Sequence, residues 1–421
     1  MVSKRFGLKT GIIAMTAVIV AGGFAATHGA EQSGAASAKA KNVILFVGDG
    51  MGGAARDAIR LAIAGEKGEL AMDSMPYAGL FHSSSTIPVT DSAAAATAFA
   101  SGVKTYNGAI GMDADKKPVK TIMEYAKEVG KSTGVVTTSQ VTDATGAAFG
   151  AHVDDRSKQS DIALQYLTKA KLDVILGGGE DFWFPAGSPG AYPDEPAEDP
   201  SEKSKGTQGN LVEKAKQLGY TYVTNAADLQ RAKGGKLLGL FANEEMFQQR
   251  EEGQGDIYDP VVSLPDMTKK AIDTLSANKK GFVLMVEEEA IDEMAHANNA
   301  KQVIRAGEQL NNAVKVAKDY AKKHPDTLVI VLADHETGGL AIESKDDKDE
   351  SGDGISKEDG PFPIAGSKET FYVDWTTSGH TAVDIPVTAT GAGASLFTGV
   401  YENTDIFYKL ADALGIKVKK H

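Results

Sequence analysis

The sequence predicts an α/β protein: a doubly wound, mostly parallel central sheet with helices on both faces. Continuous apolar runs recur along the chain, the mark of strands buried on both sides. Helical stretches separate them. Several runs also end on an acid, which lines carboxylates along the sheet edge where open α/β sheets bind ligands. At 421 residues the chain can bury a large core, and its 42% hydrophobic and 24% charged residues are ordinary for a globular enzyme.

The first thirty residues stand apart. Lys4, Arg5 and Lys9 precede an apolar stretch from Gly11 to Ala26, and no acid occurs before Glu31. This reads as a secretory signal peptide over 1–30, too short and glycine-rich for a membrane span, so no stable span is expected after cleavage. Small-residue triplets end at Ala30, Ala38 and Ala40, so the leader could extend to 40. Residues 41–421 read as a single α/β domain of an exported protein, periplasmic or extracellular. Cysteine is absent, which excludes disulfides and a lipid anchor on an N-terminal cysteine. Durability must come from packing or bound metal. The formal charge of −13 becomes −16 once Lys4, Arg5 and Lys9 are removed, which argues against nucleic acid held by general electrostatics. An anionic substrate would need strong local positive charge.

Taken in order, Asn42 to Val47 is a central strand running into Gly48-Asp49-Gly50. In Val89-Thr90-Asp91-Ser92-Ala93-Ala94-Ala95-Ala96-Thr97, Ser92 opens a helix of small residues that can pack tightly. Its N-terminus suits an anion above Ser92; Asp91 or Ser92 as a plain cap is the simpler reading. Helical stretches from Lys120 to Val129, Ser157 to Ala170, Pro265 to Lys279 and Ala300 to Lys323 alternate with further strands. Those strands are Thr133 to Thr138, Leu172 to Leu176 before three glycines, Phe282 to Val286 before Glu287, and Thr327 to Ala333 before Asp334. Loop insertions are expected at 182–209 and 344–376, the second most charged from Ser344 to Ser367. Asp347 to Glu358 has the length of a calcium loop, but no helices flank it and Ile355 falls one position late. A solvated acidic loop is the preferred reading and a Ca²⁺ site the alternative.

The chemistry lies in the acids and histidines. Asp292 and His296, four apart on a helix, share one face. Asp334 and His335 are adjacent at a strand end, and His380 lies in the loop Ser378-Gly379-His380-Thr381. Each histidine alone is more often a structural residue. Two Asp/His pairs and a loop histidine among only eight histidines make a stronger pattern. Nitrogen and carboxylate donors without thiolate point to zinc, with magnesium or another hard cation at all-oxygen positions.

These residues resemble the alkaline phosphatase family, whose nucleophile signature matches Val89 to Thr97. The resemblance continues through Asp49-Gly50-Met51-Gly52, Asp143-Ala144-Thr145 and Ala151-His152-Val153-Asp154-Asp155-Arg156. It extends through Val286-Glu287, Ile291-Asp292, His296, Ala333-Asp334-His335-Glu336-Thr337-Gly338-Gly339 and His380-Thr381. The motifs keep family order from residue 41 to beyond 380. The resemblance implies an alkaline-phosphatase-like fold and a phosphomonoesterase working through a phosphoserine on Ser92. It implies one zinc on Asp292, His296 and His380, and a second on Asp49, Asp334 and His335 with Ser92. Magnesium would take Asp49, Thr145 and Glu287, with Asp143 orienting its waters. Arg156 matches the phosphate clamp, and Asp91 would hydrogen-bond Arg156 or the helix start. Phosphate monoesters and inorganic phosphate would be the ligands, and a homodimer is implied by analogy.

The expected physics fits. Two cations roughly 4 Å apart suit the two oxygens of an in-line displacement, and an arginine fork suits the non-bridging oxygens. One position departs from the family: Glu293 follows Asp292 where relatives often carry Lys, His or Trp. An acid there weakens phosphate binding unless it points to solvent or takes a cation, and it leaves Asp143 without a basic partner at that position. Glu288 and Glu289 are expected as exposed turn residues. The runner-up functions are a phosphodiesterase of the same superfamily and a non-catalytic phosphate- or metal-binding homologue. A sulfatase is disfavoured because cysteine is absent and alanines follow Ser92.

Overall fold

The computed structural model describes residues 39–192, 204–247, 258–344 and 358–420. The expected leader at 1–30, and the Asp347 to Glu358 loop apart from Glu358, lie outside them. In chain order the strands are β1 (Asn42–Gly48), β2 (Tyr77–His82), β3 (Ser132–Gln140), β4 (Val174–Gly178) and β5 (Thr221–Val223). Then come β6 (Leu237–Leu240), β7 (Phe282–Glu288), β8 (Thr327–Leu332), β9 (Glu336–Thr337) and β10 (Ala341–Glu343). The last are β11 (Asp359–Pro363), β12 (Thr370–Asp374), β13 (His380–Thr381), β14 (Ile385–Gly391) and β15 (Gly399–Glu402).

Ten of these strands form one sheet, in the order β15-β2-β14-β8-β1-β7-β3-β4-β6-β5. Every neighbouring pair is parallel except those made by β14, which runs antiparallel to both β2 and β8. Strands β1, β7 and β8 are buried at every residue. That burial is why they read as unbroken apolar runs. The strands that the sequence does not reveal are short, alternating or interrupted. β5 and β6 are three and four residues long, β2 alternates partly buried and exposed residues along most of its length, and β14 contains Pro386.

Helices cover both faces. Gly53–Ala64, Leu264–Leu275 and Ala300–Lys323 pack together on one, and Ser92–Ser101, Ile122–Glu128 and Asp405–Leu414 on the other. The helix Leu264–Leu275 starts on a Ser263 cap with Pro265 in its first turn, as the missing proline N–H allows. All ten residues of Ser92–Ser101 are buried, which the methyl-sized side chains permit. The stretch expected as one helix from Ser157 to Ala170 begins as Gln159–Gln165 and widens into a π-turn at Tyr166–Ala170. Within the expected insertion at 344–376, β11 and β12 join β10 in an antiparallel sheet. Phe371 and Val373 alternate inward along β12, a period-two signal set among charged residues.

Candidate active site

The parallel strands deliver their acids to one edge. Asp49 follows β1, Glu287 and Glu288 end β7, and Asp334 lies just past β8. Gly50 has a φ of +65°, and a Cβ there would lie 2.6 Å from Asp292 Oδ1. Only glycine lets the Asp49 turn approach Asp292 so closely, and the Gly50 N–H donates to Asp334 Oδ1 at 3.2 Å. A Cβ on Gly52 would lie 2.1 Å from Glu336 Cγ, which accounts for the second glycine of that turn.

Ser92 begins its helix between β2 and β3, with Asp91 as the cap. Asp91 Oδ1 accepts from the Ala94 N–H at 3.0 Å and Oδ2 from the Gly108 N–H at 2.8 Å. Ser92 Oγ lies 3.2 Å from His335 Nε2. The serine is buried and faces the acids, so capping falls to Asp91 and leaves Ser92 available.

Two compact ligand-like clusters result. Asp49, Asp334 and His335 form one, and Asp292, His335 and His380 the other, each with donor atoms within 4.8 Å of one another. His296 Nε2 joins the second group at 3.1 Å from both Asp292 Oδ2 and His380 Nε2. The family pattern pairs His335 with Asp49 and Asp334; here His335 stands between both groups, its ring stacked 3.6 Å from that of His380. His380 Nδ1 hydrogen-bonds the Thr90 carbonyl at 2.9 Å and His296 Nδ1 that of Ser378 at 2.5 Å. These carbonyls fix Nδ1 as the donor and leave each Nε2 to face the cluster.

The electrostatics ask for cations. Asp49 Oδ1, Asp334 Oδ2 and Glu287 Oε1 are buried and accept no hydrogen bond. Buried carboxylate oxygens without partners are costly unless positive charge sits among them. Burial, then Asp334, Asp292 and Glu287, pushes the Asp49 pKa well above the usual carboxylate range. Burial likewise lifts Glu287 to about 7, against hydrogen bonds from Thr137 and Thr145. Asp292 goes the other way: burial is outweighed by the His296 hydrogen bond and by the nearby His335 and His380, so it stays ionised. The same contact raises His296 to about 9 despite its burial.

Thr145 Oγ1 donates to Asp49 Oδ2 at 3.2 Å and Thr137 Oγ1 to Glu287 Oε2 at 2.7 Å. This gathers the oxygen donors Asp49, Thr145 and Glu287. Arg156 Nη2 reaches both oxygens of Asp143 at 3.0 Å, and Nη1 lies 3.6 Å from Asp91 Oδ2. Asp143 thus has a basic partner after all. Its compensation comes from the 151–156 segment and not from the position after Asp292.

Glu288 and Glu289 are buried, not exposed turn residues, because β7 runs on to Glu288. Thr138 Oγ1 and the Tyr258 hydroxyl donate to Glu288 at 2.7 and 2.6 Å. Glu293 does not simply face solvent: burial, then Asp292, lifts it to about 7. Burial, then Glu293 and Glu245, raises Glu289. The sequence does not single out Thr337 as a site residue. Its Oγ1 donates to Asp292 Oδ1 and lies 3.3 Å from His335 Nδ1, and its place in the Asp334 to Gly339 motif was the available signal.

The family model for alkaline phosphatase matches residues 40–351 and 364–416. Alkaline phosphatase 3 of Bacillus subtilis is 33% identical, over 90% of this chain and 90% of its own. The alkaline phosphatase of Escherichia coli is also 33% identical, over 90% of this chain and 87% of its own. The solved alkaline phosphatase from the Antarctic bacterium TAB5 superposes with a TM-score of 0.71 at 32% identity, covering 91% of this chain and 100% of its own. A catalytic-looking serine, a held arginine and two cation-hungry clusters therefore meet a family match that spans nearly the whole fold: the chain belongs to the alkaline phosphatase family of phosphomonoesterases.

Proposed function

We propose that the protein is an exported alkaline phosphatase that hydrolyses phosphate monoesters through a covalent phosphoserine on Ser92, at a site for two Zn²⁺ and one Mg²⁺. The observation that carries this reading is Ser92 Oγ, 3.2 Å from His335, beside buried carboxylate oxygens that no protein donor satisfies. Asp292, His296 and His380 would hold one zinc, and Asp49, Asp334 and His335 the other. Asp49, Thr145 and Glu287, all oxygen donors, suit magnesium, with Asp143 placed to orient its waters. When bound, these cations supply the positive charge that activates a hydroxyl and stabilises a departing oxygen.

The chain's own groups do the rest. Ser92 Oγ attacks phosphorus in line, forming the phosphoserine ester as the alcohol leaves with its oxygen; water then attacks the same phosphorus, releasing phosphate and restoring serine. The free N–H groups at the start of Ser92–Ser101 face the anion, and Arg156 offers two donors to its non-bridging oxygens. Asp91 and Asp143 pair with that guanidinium before substrate arrives, so phosphate must draw it away from Asp143.

The test is hydrolysis of an aryl phosphate by the wild type and by Ser92→Ala, with labelled phosphate trapped on the enzyme by acid quench. Turnover and trapped label should both vanish in the variant, and equal rates would overturn the mechanism. Rates on a matched diester should be far lower. Elemental analysis should find zinc and magnesium, and activity should fall with chelation. The leader is tested by the compartment and mass of the protein expressed from the full sequence.

A further inference from the structure

The central strands β8, β1, β7 and β3 lie side by side and parallel, so all four start on one edge of the sheet and end on the other. The three residues before each strand are His324-Pro325-Asp326, Lys39-Ala40-Lys41, Lys279-Lys280-Gly281 and Val129-Gly130-Lys131: five lysines and one acid. The three after each are Ala333-Asp334-His335, Asp49-Gly50-Met51, Glu289-Ala290-Ile291 and Val141-Thr142-Asp143: four acids and no lysine or arginine. Charge is thus segregated across the sheet.

The lysine edge is continuous. Lys131 Nζ donates to the carbonyls of Lys41 at 2.7 Å and Lys280 at 2.9 Å, binding three of the lead-in segments together. Lys322 and Lys323, at the end of Ala300–Lys323, reach the same edge just ahead of β8. Lys39, Lys41, Lys279, Lys280, Lys322 and Lys323 are all exposed. Asp326 lies 4.0 Å from Lys41 and Asp319 2.8 Å from Lys322, offsetting part of the charge. The last two lysines also complement the carbonyl end of their helix. The other four lie in no helix, so that role does not explain them.

We propose that this lysine edge docks the folded chain on an anionic phospholipid bilayer, with the Ser92 edge turned to solution. A seven-residue strand such as β1 spans about 23 Å, well beyond the ~8 Å Debye length at physiological salt. A surface touching the lysine edge therefore does not sense the acids opposite, even though the chain carries −13 overall. The bilayer is the occupant because Lys39, which leads into β1, lies on this edge, and the sequence before it carries the apolar stretch Gly11 to Ala26. The twelve residues between that stretch and Lys39 span at most ~43 Å, so the fold is delivered close to the membrane it crosses. This choice of occupant rests on the export reading; the polarity of the sheet does not.

The test is flotation of the purified, metal-loaded protein with phosphatidylglycerol-containing vesicles and with pure phosphatidylcholine vesicles, at low and high salt. The readout is the ratio of binding to the two, in which any contribution of the apolar leader cancels. Binding should favour the anionic vesicles and fade in high salt. The triple variant Lys41→Gln, Lys279→Gln, Lys280→Gln should lose about fivefold per lysine, about a hundredfold in all. Lys116→Gln, Lys117→Gln, Lys216→Gln should bind as the wild type, and both variants should hydrolyse a soluble aryl phosphate normally. Equal binding to both vesicle types, or equal loss in the two variants, overturns the proposal. So does capture by soluble polyphosphate as tight as by the bilayer. The mass of the exported chain reports leader processing separately, so failure of the export reading is distinguishable from failure of docking.

Discussion

A single nitrogen of Arg156, Nη2, sits 3.0 Å from both carboxylate oxygens of Asp143. Arg156, the phosphate clamp of the proposed function, is therefore already partly engaged by a carboxylate. Replacing Asp143 with Ala should free the guanidinium, so competitive inhibition by inorganic phosphate should tighten roughly tenfold, the scale of one charged hydrogen bond. Arg156→Ala should act oppositely, raising KM roughly 10–100-fold with a smaller effect on kcat. Weaker phosphate inhibition in Asp143→Ala would show that Asp143 supports the clamp and does not compete for it.

Glu293 places a carboxylate beside Asp292 and near Asp143, and the proposed function has phosphate bind among these groups. Glu293→Gln removes one like charge, so phosphate affinity at pH 9 should rise roughly three- to tenfold. Inhibition constants for phosphate in the two proteins decide it. An unchanged constant would mean that Glu293 is already neutralised by its surroundings.

Chelation should destabilise the protein in a pH-dependent way. Without cations, Glu287 titrates at about 7 against an ordinary 4.5, so the folded chain binds more protons than the unfolded one between those values. Stability of the chelated protein should accordingly fall as pH rises from about 4.5 through 7, and Asp49, raised well above its ordinary 3.8, adds to the loss. With cations bound, the carboxylates are paired and the slope should flatten. Calorimetric Tm values at pH 6 and pH 8, with and without chelator, test this, and parallel slopes would count against cations in the cluster.

His152 offers a pH-dependent contribution away from the metals. Its Nδ1 faces the Gly111 carbonyl at 2.8 Å and its Nε2 the Glu124 carboxylate at 3.1 Å, two acceptors that together favour the protonated ring. Burial opposes that charge, but Glu124 and Gly111 hold His152 above its ordinary 6.5. The contribution is thus complete below about 6.5 and lost as pH climbs through the folded value. Glu124 is held low by the same pair, its burial outweighed by His152 and the Thr121 N–H, so the contribution also fades in acid. His152→Asn in the metal-loaded protein should cost about 2 kcal/mol at pH 6 and roughly 1 kcal/mol less at pH 9. Urea melts at the two pH values measure the difference, and equal costs would mean an uncharged ring.

The strands that build the site were legible because burial on both faces leaves an unbroken apolar run, as in Phe46 and Val331, each ending near an acid. The flanks of the sheet were not, since β5 and β6 are too short to show a period and β14 hides behind Pro386. The candidate ligand residues are legible as Asp/His pairs, but pairing in sequence does not fix pairing in space. His335 stands between two groups, and Arg156 reaches Asp143 from 13 positions away. Glu288 and Glu289 are not legible because three successive acids resemble a solvated turn, and the long reach of Thr138 and Tyr258 shows how Glu288 is accommodated.

Strand β14 alone runs against the rest, inserted between β2 and β8. It therefore begins where its neighbours finish, and His380, just ahead of it, arrives at the acidic edge ahead of a strand rather than after one. The two candidate clusters together draw on residues from 49 to 380, so both are complete only once nearly the whole chain has folded. In the proposed function, metal capture is thereby a late act, one that reports completion of the fold.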